Sequence, residues 1–157
     1  MSSSDRISAI VDLFTDSAQV RSLKNTNKIY LNGKDEIKNS FAKTSATKTA
    51  ISKRLFIDAG SLITFVFDLH RAGTAGGLGD KTKDTLLLYR VEKALITNVF
   101  GTTDTEKISK DTELSQEQLL NSKAWKMARA IVSKDINNLD DKKYLNYHNY
   151  DHMEVWG

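Results

Sequence analysis

At 157 residues, 39% of them hydrophobic and 27% charged, this chain has the length and composition of one ordinary globular domain, and we predict a single domain over residues 1–157. The absence of cysteine excludes disulfides, thiolate chemistry and sulfur-ligated metals, and it favours a cytoplasmic location. The 23 basic and 20 acidic residues are interspersed and no apolar run approaches the roughly 18 residues that span a bilayer, so we expect neither nucleic acid nor a membrane as a partner.

The first part of the chain predicts short helices and strands in alternation. Ser4 can cap a helix that begins at Asp5, because apolar residues follow at the 3, 4, 7 spacing of one helical face. A polar break at residues 15–17 ends this helix. The pattern then predicts a strand over 18–22, a strand over 29–31, a helix over 34–43, a loop over 44–53 and a strand over 54–58.

Three long strands follow and form the centre of the predicted fold. The first, over 62–71, is rich in β-branched and aromatic residues. A glycine-rich segment over 72–83 leads to a strand over 84–91, and a short connection leads to a strand over 94–101. Only antiparallel neighbours can be joined so briefly, so these strands predict an antiparallel meander.

Alternation divides the side chains of the first long strand between two faces. One face carries Ile63, Phe65, Phe67 and Leu69, and the other carries Thr64, Val66, Asp68 and His70. Large apolar side chains in water would form an unusually sticky patch. We therefore predict that Phe65, Phe67 and Leu69 are buried against a second subunit of a homodimer.

The order of elements follows a recognisable pattern in three segments. A helix, an acidic break and a strand occupy 7–20, a Gly33-Lys34-x-x-Ile37 sequence opens the next helix, and a hairpin covers 88–101. Over about residues 5–103 this order resembles the nuclear transport factor 2-like superfamily, in particular its SnoaL-like polyketide cyclases and ketosteroid isomerases. The resemblance implies an α+β fold in which helices wrap a cone-shaped, curved sheet of mixed or antiparallel strands. The open end of the cone is a largely apolar pocket.

The resemblance also implies which residues line that pocket and what they bind. The pocket face would carry, from three strands, Thr64, Val66, Asp68, His70, Leu87, Tyr89, Asn98 and Phe100. The implied partner is an apolar small molecule. We expect no cofactor. Alternation groups these residues by face but does not say which face is concave. In the alternative arrangement the apolar face lines the core, and Asp68 and His70 lie in water.

Asp68 and His70 have the residue types of a proton-transfer site. They stand about 7 Å apart on one strand face, so one substrate can touch both. Imidazole is a natural general base near neutral pH, and a neighbouring carboxylate can orient it. Tyr89 or Asn98 can donate a hydrogen bond to a developing oxyanion. These residues predict an isomerase, cyclase or dehydratase acting on an apolar carbonyl compound.

Two other interpretations remain open at this stage. The histidine and aspartate can be a pair that only satisfies itself, and the fold can be a non-catalytic module that binds a ligand or forms a dimer. The catalytic base of the ketosteroid isomerases falls on Ser22, and the carboxylic acid of their oxyanion hole falls on Leu87. Steroid isomerisation by that mechanism is therefore not expected.

The C-terminal part, over 104–157, predicts a helix and an aromatic tail that pack on the cone. Ser115 and Gln118 match a capping box at the start of a helix over 115–133. Its apolar stripe contains Leu120, Ala124, Met127, Ala128 and Ile131, broadened by Trp125 and Val132. The family's long first helix is missing, so we predict that this helix takes its place. The tail over 144–156 is rich in tyrosine, and we expect it to dock.

The tail also contains residue types that bind metals. His148 and His152 would share a face if the tail were helical, with Asp151 and Glu154 nearby. No third ligand has a predicted position, and the segment is too rich in Asn and Tyr for a helix. We therefore predict no metal site.

Overall fold

The computed structural model of the chain describes residues 3–43, 51–60, 62–70, 84–104, 115–136, 139 and 145–149. This part of the chain has four helices and a seven-stranded mixed sheet, which confirms the α+β class. The elements in chain order are α1 (Ser3–Val11), β1 (Phe14–Ser22), β2 (Ile29–Asn32), α2 (Lys34–Lys43), β3 (Ile51–Asp58), β4 (Ile63–His70), β5 (Asp84–Glu92), β6 (Leu95–Asp104), α3 (Gln116–Leu120), α4 (Lys123–Val132) and β7 (Leu145–Asn149). Within these ranges, no helix has the length and apolar character needed to cross a membrane.

The sheet is open, with the strands in the order β2-β1-β6-β5-β4-β3-β7. β1 and β6 run parallel, and all other neighbours run antiparallel. The predicted meander corresponds to β4, β5 and β6. Because β6 pairs with β1, the hairpin of β1 and β2 extends one side of the meander, while β3 and β7 extend the other.

Two strands begin three or four residues earlier than predicted. β1 begins at Phe14 rather than at Ala18, and its pairing with β6 is interrupted after Phe14. The polar residues 15–17 lie in this interruption. The local pattern predicted a break there, but the strand continues through them. β3 begins at Ile51, so the end of the predicted loop over 44–53 belongs to a strand that β4 and β7 flank on its two sides.

The larger hydrophobic core lies between one face of the sheet and helices α3 and α4. Phe65, Phe67 and Leu69 are fully buried there, and the Phe67 ring lies 6.1 Å from that of Trp125 in α4. Burying each such side chain stabilises the fold by about 1.5 to 3 kcal/mol. The prediction that a second subunit covers these residues is wrong, because α4 of the same chain covers them. A homodimer remains a prediction from the family resemblance alone.

The smaller hydrophobic core lies on the opposite face, under α1 and α2. Leu87 alternates along β5 with Leu86 and Leu88, which face the larger core, so Leu87 points the other way. It packs in a cluster with Val99 of β6 and Ile37 of α2. Helices therefore cover both faces of the sheet.

The predicted helix over 115–133 is two helices with separate caps. The Ser115 hydroxyl accepts from the Gln118 amide at 3.1 Å, and the Gln118 side chain accepts from the Ser115 amide at 2.8 Å, which confirms the capping box. Ser122 then caps α4 by accepting from the Trp125 amide at 3.1 Å. Ser122 is thus a second cap within the predicted helix, and α4 begins there as a separate helix. The Ser122 hydroxyl satisfies the Trp125 amide, which in a continuous helix would bond to a backbone carbonyl.

The break changes which residues of the stripe reach the core. Leu119 and Trp125 are fully buried, whereas Leu120 and Met127, predicted at the centre of the stripe, are half-buried. Ile131 is buried as predicted. The stripe therefore centres on Trp125 and packs on the face of Phe67.

The first part of the predicted tail docks as an edge strand. β7 pairs antiparallel with β3 over five residues, with Tyr147 opposite Leu55. Tyr147 packs against the larger core. Residue 144 and residues 150–156 of the predicted tail lie outside the described residues.

Candidate functional site

An ion pair with a buried carboxylate and a partly exposed arginine lies on the sheet face that carries Asp68. Arg54 of β3 and Asp68 of β4 are cross-strand partners, so their side chains lie on the same face. Arg54 Nε and Nη2 donate to the two Asp68 carboxylate oxygens at 2.6 and 2.7 Å. Asp68 is only 1% exposed, and a buried carboxylate needs such charge-assisted hydrogen bonds. The pair fixes one negative and one positive charge in the sheet.

His70 lies beside this ion pair, two residues further along β4. Its Nε2 is 3.7 Å from an Asp68 carboxylate oxygen, which is too long for a hydrogen bond. The residue is 5% exposed, and neither ring nitrogen has a hydrogen-bond partner in the described part of the chain. The structure thus brings Asp68 and His70 together, but the carboxylate binds Arg54 and does not orient the imidazole. The alternative that both residues lie in water is wrong, because both are buried.

Tyr89 of β5 lies on the same face, opposite Val66 of β4. Burial raises the pKa of its hydroxyl above the ordinary value near 10, the Asp68 carboxylate raises this pKa further, and the Arg54 guanidinium lowers it. The side chain is half-buried, yet the hydroxyl senses both charges of the ion pair. At neutral pH the group is a phenol that can donate a hydrogen bond.

Three further predicted residues also share this face. Val66 and Thr64 are half-buried on β4, and Leu87 is buried on β5 as the cross-strand partner of Asp68. Of the eight residues that were predicted to line one pocket, the structure places six on one face.

Asn98 and Phe100 lie on the other face, which contradicts the prediction for both. Phe100 pairs with Leu88 and packs in the larger core, and Asn98 pairs with Arg90. Neither side chain points toward His70. Asn98 is therefore not available as an oxyanion donor at this site.

An extra residue in β6 explains this difference. Val91 pairs with Ile96, but the preceding residue Arg90 pairs with Asn98, so Thr97 forms a β-bulge. The Thr97 hydroxyl donates to the Arg90 carbonyl at 3.3 Å and accepts from Arg90 Nη1 at 3.0 Å. A one-residue shift moves every later side chain to the opposite face. Without the bulge, Asn98 and Phe100 would lie on the face of Tyr89, as predicted.

Two residues of the site were not found by sequence reasoning. Arg54 became visible only through the pairing of β3 with β4, which no local pattern specifies. Thr85 is the cross-strand partner of His70, is fully buried, and has a hydroxyl with no hydrogen-bond partner among the residues described. In the sequence, the signal for Thr85 is its position directly before three consecutive leucines, which the structure buries.

The edge strand β7 extends the same face outward. His148 pairs with Arg54, and its ring meets Phe56 edge-on at 5.3 Å between centroids. The Arg54 guanidinium lies 5.7 Å from the centre of the Phe56 ring, within range of a cation–π contact. His152 lies outside the described residues, and the described ranges contain no group of three His, Cys, Asp or Glu side chains that could hold a metal.

The structure gives other roles to Ser22 and Leu87, the two positions to which the resemblance assigned the carboxylates of the ketosteroid isomerases. The Ser22 hydroxyl accepts a hydrogen bond from the Asn25 amide at 3.1 Å, within a turn. Leu87 packs in the smaller core. Neither residue can supply the acid or base of that mechanism.

The chain has no match among models of known protein families or among curated protein sequences.

Proposed function

We propose that this chain is a SnoaL-like protein that binds an apolar carbonyl compound on the sheet face of Asp68, His70 and Tyr89. His70 moves a proton to or from this compound, as in an isomerase, cyclase or dehydratase. The observation that carries the proposal is the imidazole of His70, which is buried while both of its nitrogens lack a partner among the described residues.

A buried polar group without a partner is costly to a fold. Leaving one hydrogen-bonding group unsatisfied costs about 1 to 3 kcal/mol, and native proteins contain few such groups. A histidine kept only for stability would bond to a nearby acceptor, but His70 Nε2 lies 3.7 Å from the Asp68 carboxylate, which binds Arg54 instead. The ring nitrogens of His70 have no partner among the described residues, and a ligand would satisfy them.

Proton transfer next to a carbonyl needs a base and a donor for the oxygen. In the proposed reaction His70 removes a proton from the carbon beside the carbonyl, and the electron pair moves to the carbonyl oxygen. Tyr89 donates a hydrogen bond to this oxygen as its charge develops. His70 then returns the proton to a different atom, so no cofactor is required.

A second candidate is a non-catalytic binding module of the same fold. It is favoured by the absence of a carboxylate at Ser22 and Leu87, where the resembled isomerases carry theirs. In this case the ring nitrogens of His70, which lack a partner among the described residues, bind the ligand but transfer no proton.

Hydrogen exchange of a probe ketone distinguishes the two candidates. We expect the protein to accelerate exchange of the α-protons of 1-tetralone in D₂O, followed by NMR. The His70→Gln variant should lose this activity while its melting temperature stays within a few degrees of the parent. His148→Gln is the matched control, because His148 lies on the same face but at the edge strand, and it should retain the activity.

Other outcomes would change the assignment. If 1-tetralone shifts the NMR signals of the His70 ring without exchanging protons, the protein is a binding module. If His70→Gln costs about 1 to 3 kcal/mol of stability and leaves both binding and exchange unchanged, His70 has a structural role and the proposed site is wrong.

A further inference from the structure

We infer that Thr85 is a ligand-binding residue and that the polar group of the ligand carries a hydrogen-bond donor beside an acceptor, as a hydroxy ketone does. This inference rests on the proposed function, because it assigns a ligand group to the same sheet face. It goes further by naming a residue and a substrate class that proton transfer alone does not require.

The geometry starts from the pairing of β4 with β5. Thr85 and His70 face each other directly across the two strands, which places their Cβ atoms about 4.5 to 5.5 Å apart on one face. Thr85 is 0% exposed. The Thr85 hydroxyl and both ring nitrogens of His70 are buried polar atoms without a partner in the described ranges. Three such atoms therefore cluster on two adjacent residues.

The chemistry of these atoms defines what can satisfy them. A neutral imidazole offers one donor and one acceptor, and a hydroxyl offers one donor and two acceptor positions. A ligand with only a carbonyl can accept hydrogen bonds but offers no donor to the acceptor positions of the Thr85 hydroxyl. A ligand with a hydroxyl next to the carbonyl can donate to the Thr85 oxygen, and the acceptor nitrogen of His70 then stays available for the α-proton.

The neighbouring residues do not compete for this role. The Asp68 carboxylate accepts both of its short hydrogen bonds from Arg54, and Leu87, next to Asp68 on β5, is apolar. A polar ligand group in this part of the face therefore finds its partners at His70 and Thr85. A site that hydrogen-bonds a substrate hydroxyl discriminates strongly against an analogue that lacks it.

Two probes that differ by one hydroxyl test the inference. We expect 2-hydroxy-1-tetralone to bind about tenfold or more tightly than 1-tetralone, measured by titration of the His70 ring signals in NMR spectra. Thr85→Val keeps the shape and removes the hydroxyl, and it should abolish this preference. Thr85→Ser keeps the hydroxyl and should retain the preference.

Thermal unfolding without a ligand gives an independent readout. Because Thr85→Val replaces a buried hydroxyl that has no partner among the described residues with a methyl group, we expect its melting temperature to rise. A fall would show that the fold itself satisfies the hydroxyl, and would overturn the inference.

The failures of the inference and of the proposed function are distinguishable. If both probes shift the His70 signals equally in the parent and in Thr85→Val, the inference is wrong and the proposed function stands. If neither probe shifts these signals, there is no ligand site at His70 and both are wrong.

Discussion

At the scale of single residues, the Arg54–Asp68 pair is the feature on which the site depends most. Asp68 is buried and receives two hydrogen bonds from one guanidinium. Two charges held in this way give His70 and Tyr89 a defined electrostatic environment. Removal of Arg54 is expected to be strongly destabilising, because it leaves the buried Asp68 charge uncompensated.

We predict that Arg54→Ala lowers the free energy of unfolding by about 3 to 5 kcal/mol, measured by urea denaturation. A double variant with leucine at both Arg54 and Asp68 should recover most of this loss, because it buries no charge. Arg90→Ala is the comparison, since the Asp135 side chain that Arg90 pairs with is 25% exposed against 1% for Asp68, and it should cost less than Arg54→Ala. Equal losses for the two arginine variants would contradict this account of the buried pair.

The raised pKa of Tyr89 leads to a prediction about alkaline pH. Above pH of about 10 the unfolded chain releases the Tyr89 proton, while the folded chain keeps it. The free energy of unfolding should therefore fall as the pH rises above about 10, and Tyr89→Phe should remove this part of the fall. Denaturation at pH 8 and pH 11 measures the difference.

The matched control for this experiment is Tyr30→Phe, which changes an exposed tyrosine of β2. It should leave the alkaline fall of the parent unchanged. If Tyr89→Phe and the parent lose stability in parallel, the Tyr89 hydroxyl is not buried beside the ion pair.

At the scale of elements, α4 covers the apolar sheet face that the sequence pattern predicted a second subunit would cover. Trp125 is fully buried and contacts Phe67 of β4. Ser122 caps the helix at a position that presents Trp125 to the sheet. The segment after α4 is tied to the sheet by Arg90 of β5, which donates two hydrogen bonds to Asp135.

We predict that Trp125→Ala costs about 3 to 5 kcal/mol, the usual loss for a large buried aromatic side chain. Lys126→Ala, on the next and exposed position of α4, should stay within about 0.5 kcal/mol of the parent. Chemical denaturation of the two variants measures both effects. A small loss for Trp125→Ala would mean that α4 contributes little to the core.

At the scale of the whole molecule, the C-terminal elements complete both the larger core and one side of the sheet. α3 and α4 cover the face of Phe65, Phe67 and Leu69, and β7 pairs with the outer side of β3. A chain without these elements would expose large apolar side chains and would leave β3 as the edge strand in place of β7. Such a surface favours association between molecules.

We predict that a chain ending at Thr112 is unfolded or molten. Exposing these three side chains alone would forfeit roughly 4.5 to 9 kcal/mol, at about 1.5 to 3 kcal/mol each, which is comparable to the net stability of a domain. Near-ultraviolet circular dichroism and a thermal melt test this. A cooperative transition near the full-length temperature would show that the C-terminal part is a separate appendage.

The sequence by itself determined the features that depend on near neighbours along the chain. The helix over 34–43 has the same bounds in the structure, the capping box at Ser115 forms, and the meander has the predicted order. Alternation along β4 also predicted correctly that Phe67 and Asp68 lie on opposite faces of the sheet. These features follow from local hydrogen bonds and from strand periodicity, and both can be recognised in a few consecutive residues.

Only the tertiary structure decided which residues meet across the strands. The bulge at Thr97 moved Asn98 and Phe100 away from the site, the pairing of β3 with β4 gave Asp68 to Arg54, and the pairing of β4 with β5 placed Thr85 opposite His70. The physical reason is that register depends on hydrogen bonds between segments that are distant in the chain. A shift of one residue leaves the local pattern unchanged while it exchanges the two faces of the sheet.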